Sequence, residues 1–213
     1  MELLWYRFVR GLVVLFDRAF WRVTVDGKEH VPSSGAFILA PVHRSNVDTP
    51  LVAAVTGRRL RFMGKDSMWK IGWIGRIFTS LGGFPVHRGT ADREAMRQVT
   101  AMLEAGEPVV MFPEGARQSG PTVADLFDGP AYVASRLGVP IVPVGIGGSE
   151  RAMPKGAKFI HPVKVHLVVG EPLRPEPVDA GSRVSRRAVR DLTARLRKEL
   201  QALFDEAQSN LAR

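Results

Sequence analysis

Phe37-Ile38-Leu39-Ala40-Pro41-Val42-His43-Arg44-Ser45-Asn46-Val47-Asp48-Thr49-Pro50 is the stretch that decides the reading of this chain. Residues 37–40 are a short apolar run of the kind that forms a buried strand. A histidine follows at once, then polar residues, then Pro50, which suits the first turn of a helix. A strand, a polar loop and a helix in that order predict an α/β sheet. The loop then lies at a strand's carboxyl end, where open α/β sheets bind their ligands.

The pattern repeats outward from this point. Apolar runs at 59–63, 83–86, 109–112, 141–146 and 163–169 predict further strands. Residues 48–55, 66–80, 91–105 and 124–137 predict helices, the last two closed by Gly106 and Gly138. Short strands separated by helices give an α/β fold, a mixed and mostly parallel sheet covered by helices. Residues 172–177 form a proline-rich connector. Beyond it, at about 183–211, Val189, Leu192, Leu196, Leu200, Leu203, Ala207 and Leu211 recur at the spacing of an amphipathic helix. Its Arg186, Arg187, Arg190, Arg195, Arg197 and Lys198 read as a solvated basic face.

Composition bounds the function. With 213 residues, 45% of them hydrophobic and 24% charged, the chain is one packed domain with at most a small appendage. It contains no cysteine, which excludes disulfides, thiolate metal sites and a cysteine nucleophile, and fits a cytosolic setting. The net charge of +9 points to polyanions: nucleic acid, anionic lipid or phosphorylated small molecules. Charge does not choose among them. No RNP, KH, zinc-finger or helix-turn-helix pattern supports nucleic acid, which is not expected as a partner. No Gly-x-Ser-x-Gly elbow supports a serine hydrolase.

Residues 1–25 read as a segment apart from the domain at 26–213. Apolar and aromatic residues crowd into it, interrupted by Arg7, Arg10, Asp17, Arg18 and Arg22. No uncharged run approaches the ~20 residues a spanning helix needs. On a helical projection the charges occupy about 200°. Leu4, Trp5, Phe8, Val9, Leu12, Leu15, Phe16 and Ala19 share the remaining face. That pattern predicts an amphipathic helix in the membrane interface. A terminal helix packed on the domain is the competing reading.

Three segments carry the candidate chemistry. His43 has an ordinary pKa of ~6.5, close to working pH, and is a candidate general base. Asp48 can turn back within the loop to fix the histidine's tautomer. The pair alone also fits a loop histidine capped by an acid. Gly83-Phe84-Pro85-Val86-His87-Arg88-Gly89 places an arginine at a second strand end, and Phe112-Pro113-Glu114-Gly115-Ala116-Arg117 places one at a third. Arginines at two strand ends make a forked cationic site suited to phosphate.

These segments resemble the ordered signature blocks of the glycerolipid acyltransferases typified by 1-acylglycerol-3-phosphate acyltransferases. His-x4-Asp is matched by His43 and Asp48. Gly-x-Phe-x-x-Arg is approximated by Gly83, Phe84 and Arg88. Phe-Pro-Glu-Gly-x-Arg is matched by residues 112–117, and the apolar Val-Pro block by residues 139–144. The resemblance spans about residues 31–172. It implies that His43 deprotonates an acceptor hydroxyl with Asp48 as its partner. It also implies that Arg88 holds the acceptor phosphate while Glu114, Gly115 and Arg117 shape the glycerol and phosphate site. Lys65, in Phe62-Met63-Gly64-Lys65, is similar to a family lysine that faces the phosphate. The fourth block is structural or lines the acyl site.

The activity so implied is transfer of a fatty acyl group from acyl-coenzyme A, or an acyl-acyl carrier protein, to lysophosphatidic acid, giving phosphatidic acid. It requires no metal or other cofactor. Membrane lipids and an acyl carrier protein are the implied partners, and the cytoplasmic face of the cell membrane, monotopic or peripheral, is the implied location. Glycerol 3-phosphate, another lysolipid or a glycolipid are alternative acceptors, and a non-catalytic membrane scaffold is the alternative of another class. One departure bears on the acceptor. Where the family often has Phe-Lys-x-Gly-Ala, this chain has Phe127-Asp128-Gly129-Pro130-Ala131. Met68, Trp69, Ile71, Trp73, Ile74, Ile77 and Phe78 either line an acyl path or pack in the core.

Overall fold

The computed structural model of the protein describes residues 2–86, 93–177 and 183–212. Its strands are β1 (Thr24–Asp26), β2 (Ile38–Pro41), β3 (Arg61–Lys65), β4 (Gly83–Val86), β5 (Val109–Val110), β6 (Ile141–Gly147) and β7 (His166–Val169). They form one sheet in the order β1-β7-β6-β2-β5-β3-β4. Every pairing is parallel except that of β6 with β7. The strand that leads to His43 is therefore central. Its residues are buried, as a parallel strand covered on both faces requires.

The winding explains where the helices lie. The helices are α1 (Glu2–Phe20), α2 (Asp48–Leu51), α3 (Gly72–Ser80), α4 (Arg93–Glu104), α5 (Gly129–Leu137), α6 (Ser149–Ala152) and α7 (Arg186–Ser209). From β2 the chain steps outward to β3 and β4, then returns past β3 to β5 and past β2 to β6. Right-handed crossovers in opposite directions put α2 and α3 on one face and α4 and α5 on the other. Helix α1 packs on α2, and α7 on α5 and β6. The close seat of α7 depends on glycine: a Cβ at Gly145 or Gly147 would collide with the carbonyls of Leu203 and Ala207. The apolar stripe of α7, Val189 to Ala207, is buried there as expected.

Several boundaries differ from expectation. Strand β1 was not expected, and it runs across the boundary expected between residues 25 and 26. Trp21 and Val23 already belong to the core, so the sheet domain starts just after α1. The helix expected at 124–137 starts only at Gly129, with Pro130 in its first turn. The preceding residues are pinned elsewhere: Val123 N–H donates to Gln201, Ala124 N–H to Glu114 and Phe127 N–H to the Pro113 carbonyl. The helix expected at 66–80 breaks at extended Ile71, leaving a 3-10 turn over Asp66–Trp69 before α3.

Helix α1 has two unlike sides. Tyr6 is buried, and its hydroxyl donates to the Arg58 carbonyl and accepts from Leu60 N–H. Burial pushes this phenol above its ordinary pKa of 10.0. Asp17 is also buried, and neither carboxylate oxygen has a partner among the described residues. Desolvation raises its pKa from 3.8 to about 7. The folded state thus favours the protonated acid. Its contribution to stability is full below the unfolded pKa near 3.8 and is lost as pH rises through 7. The linked free energy is at most about 4 kcal/mol. Asp17→Asn is therefore expected to melt higher than the wild type at pH 8, and to lose the decline in melting temperature between pH 5 and pH 8. A wild-type pH profile retained in the variant would remove Asp17 as its source.

Candidate active site

The loop between β2 and α2 is folded around one carboxylate. Asp48, fully buried, uses Oδ2 to accept from the backbone N–H of Arg44 and of Ser45, each at 2.7 Å. The same oxygen lies 3.0 Å from His43 Nδ1. Because a carboxylate accepts and cannot donate, Nδ1 carries the hydrogen and Nε2 presents a lone pair. Nε2 has no hydrogen-bond partner among the described residues. Phe112 stacks on the ring at 4.1 Å between centroids, and the His43 side chain remains 12% exposed. The arrangement presents an oriented imidazole nitrogen at a strand end. Asp48 Oδ1 is buried without a partner among the described residues.

Glu114 does something other than expected. Its side chain is fully buried, and its oxygens accept from His43 N–H at 2.7 Å, from Arg44 Nη1 at 3.1 Å and from Ala124 N–H at 3.1 Å. The carboxylate points into the protein, so Glu114 can shape the site only from behind, through the groups that it holds. It fastens the histidine loop to the turn after β5. Arg44, which the sequence reading passed over, is the other half of the fastening. It is 1% exposed, donates through Nη2 to the Thr122 carbonyl and lies 4.8 Å from the Phe204 ring of α7. Ser45 adds a bond from Oγ to the Met153 carbonyl. Nothing in the local sequence marks Arg44 for burial, since its partner lies 70 residues away.

The remaining site residues divide. Gly115 turns the chain at φ 67°, and a Cβ there would meet the Phe127 ring, so glycine is required twice over. Arg117 is half-buried, and its guanidinium has no hydrogen bond or ion pair among the described residues. Lys65 ends β3, but its side chain lies outside what the structure describes, as does the whole of Arg88. Residues 141–144 of the Val-Pro block form the first half of β6, which is buried throughout. Asp128 precedes α5 and accepts from Thr193 Oγ1 of α7 at 2.7 Å, so this departure from the family pattern ties two helices together.

An apolar groove of about 250 Å³ runs beside the loop, bordered by Tyr6, Val9, Val13, Pro50, Phe62 and Phe78. Of the residues expected to line an acyl path or pack in the core, Phe78 borders this groove. Trp69 folds over Gly64 and Gly75, while Met68, Ile71, Trp73 and Ile77 are exposed. On α1, Leu4, Trp5, Phe8, Leu12, Leu15 and Phe16 are exposed as well. Trp5 Nε1 donates to Ser80 Oγ, which brings this face alongside α3. No helix among the described residues is long and apolar enough to cross a membrane.

Known proteins of similar sequence and fold point to one family. Residues 22–147, more than half of the chain, match the family described as Acyltransferase. A 1-acyl-sn-glycerol-3-phosphate acyltransferase of Bacillus subtilis is 28% identical over 152 residues, which is 71% of this chain and 73% of that protein. Chloroplastic and algal proteins of the same name, from Arabidopsis thaliana and Chlamydomonas reinhardtii, are 24% and 30% identical. The match takes in 75% and 73% of this chain but only 46% and 48% of theirs, so the chain spans about half the length of these two relatives. The crystal structure of the 1-acyl-sn-glycerophosphate acyltransferase of Thermotoga maritima superposes with a TM-score of 0.77 at 25% identity, covering 94% of this chain and 80% of that one.

Proposed function

The chain belongs to the acyltransferase family, and on that premise we propose that it moves a fatty acyl group from a thioester to the free hydroxyl of lysophosphatidic acid, giving phosphatidic acid. The observation that carries the reading is the His43–Asp48 bond, which leaves Nε2 free to accept a proton. Nε2 takes the hydroxyl proton as the oxygen attacks the thioester carbonyl. Collapse of the tetrahedral intermediate breaks the carbon–sulfur bond, and the proton passes from Nε2 to the departing thiolate. The nucleophile is the acceptor's own oxygen, so no enzyme serine enters, and the step uses neither metal nor cofactor. A positioned base of this kind contributes about 10²–10⁴-fold.

Arg117, Arg88 and Lys65 hold the acceptor phosphate in this reading. Arg117→Ala is expected to raise the acceptor KM about 10-fold or more, the loss of a charge-assisted contact, with little change in the thioester KM. A rise confined to the thioester KM would reassign Arg117. The apolar groove beside Pro50 takes the acyl chain. The exposed face of α1 rests in the interface of the cytoplasmic membrane leaflet, a peripheral attachment to lipid. Phe8→Gln/Leu12→Gln/Leu15→Gln is expected to release the protein from anionic vesicles in a sedimentation assay without lowering its melting temperature. Equal binding by the variant would return α1 to a purely structural role.

The deciding experiment supplies oleoyl-coenzyme A with lysophosphatidic acid or, separately, glycerol 3-phosphate, follows thiol release and identifies the lipid product by mass. Phosphatidic acid formed from lysophosphatidic acid, and lost in His43→Ala, is the expected result. Product from glycerol 3-phosphate alone would keep the chemistry and change the acceptor. No release with either acceptor would reject the reading for this donor and these acceptors.

A further inference from the structure

The basic residues at the start of α7 are exposed, as expected, and some of them also border a groove. Helices α4, α5 and the first turns of α7 enclose a groove of about 880 Å³ lined by Arg136, Arg183, Arg186 and Arg190, with Tyr132 on its wall and Asp128 at one end. None of the four guanidinium groups has a hydrogen bond or ion pair among the described residues, whereas neighbouring Arg187 and Arg197 are paired with Asp191 and Asp125. Four cations around one concavity, unpaired among the described residues, repel one another and attract a polyanion. Guanidinium forks match phosphate oxygens, and the 43% exposed Tyr132 ring offers a flat surface to an aromatic base. The volume lies within the roughly 300–1,000 Å³ of small-molecule sites.

The groove leads toward the turn after β5. A second concavity of about 720 Å³ shares Asp128, Tyr132 and Arg136 with it and reaches Phe127. The Phe127 ring lies where a Cβ on Gly115 would be, in the turn that also carries Phe112 against His43. Asp128, at this end, is about 12 Å along α5 from Arg136, eight residues at 1.5 Å each. The arginines are thus set back from the reacting carbonyl and lie on the opposite face of the sheet from the apolar groove.

We propose that this arginine groove holds the phosphorylated nucleotide end of a coenzyme A thioester. The inference rests on the acyl-transfer reading and adds where the donor sits. The donor crosses the carboxyl ends of the strands, with its acyl chain in the groove of α1, α2 and α3, its phosphates among α4, α5 and α7, and its thioester between them at His43. A concave groove with an aromatic side chain on its wall suits a nucleotide better than the broad acidic surface of a carrier protein.

The test is Arg136→Glu/Arg190→Glu in the full chain, with melting temperature as the folding control. By calorimetry the variant should bind coenzyme A at least ~10-fold more weakly, and the wild type should prefer coenzyme A to 3′-dephospho-coenzyme A. The KM for palmitoyl-coenzyme A should rise at least ~10-fold while turnover of palmitoyl-pantetheine, which lacks the nucleotide, is unchanged. Equal losses with both donors, an unchanged coenzyme A affinity, or a defect confined to acyl-acyl carrier protein would each overturn the proposal. Arginine-dependent coenzyme A binding without wild-type turnover would keep the groove and reject the transferase reading. Absence of both would reject the two together.

Discussion

His43→Ala should lower turnover by at least ~10³-fold and leave the melting temperature within a few degrees of wild type. The catalytic part follows from the loop. Asp48 fixes the proton on Nδ1, so Nε2 alone can accept one. No other described imidazole is held by this loop, and general-base contributions of about 10²–10⁴-fold would vanish with the ring. The stability part follows from what the ring touches. It stacks on Phe112 and accounts for only one of the three donors to Asp48 Oδ2. The backbone N–H bonds of Arg44 and Ser45 persist in the variant and keep the loop closed. Steady-state turnover beside a thermal melt decides the matter. Activity within 10-fold of wild type in a folded variant would dismiss His43 as the base.

Glu114→Ala should be the most destabilising single change in the site. It strips three donors of their acceptor at once and leaves the Arg44 guanidinium buried without its counter-ion. Removing one partner of a buried ion pair costs about 3–5 kcal/mol. For a chain of this length that is a fall of roughly 6–20 °C in melting temperature. The contrast with a ligand-binding glutamate is sharp. If Glu114 met the acceptor, Glu114→Ala would melt like the wild type and show only a raised acceptor KM. Calorimetric melting alongside kinetics separates the two, and an unchanged melt would restore the ligand-binding assignment.

This contrast marks how far the sequence could be read. The histidine and aspartate were legible because they sit five residues apart in one loop. The direction of the Glu114 side chain was not, because the groups that turn it inward, His43 N–H and Arg44, lie 71 and 70 residues away. The central strands announce themselves by unbroken apolar runs. Strand β1 does not, because it is three residues at a sheet edge with Thr24 and Asp26 exposed, so only Val25 contributes an apolar signal. The start of α5 was read too early for a related reason. Residues 123–127 look helix-compatible, but their N–H groups are claimed by Gln201, Glu114 and Pro113, contacts that exist only once the sheet has formed. The grooves on either face are likewise built from separate helices, and no local pattern encodes a concavity between them.

The pairing of β1 with β7 also sets an order of events in time. Thr24 reaches the sheet only through partners near His166, 142 residues further along. A ribosome adding 5–20 residues per second needs roughly 7–28 s to cover that interval. Throughout it, helix α1 has been synthesised while the edge that receives the following strand does not yet exist. Its buried anchor is also late, since Tyr6 bonds to Arg58 and Leu60. Helix α1 is therefore complete well before the sheet edge that fixes the strand after it, and its seat on the domain is finished last.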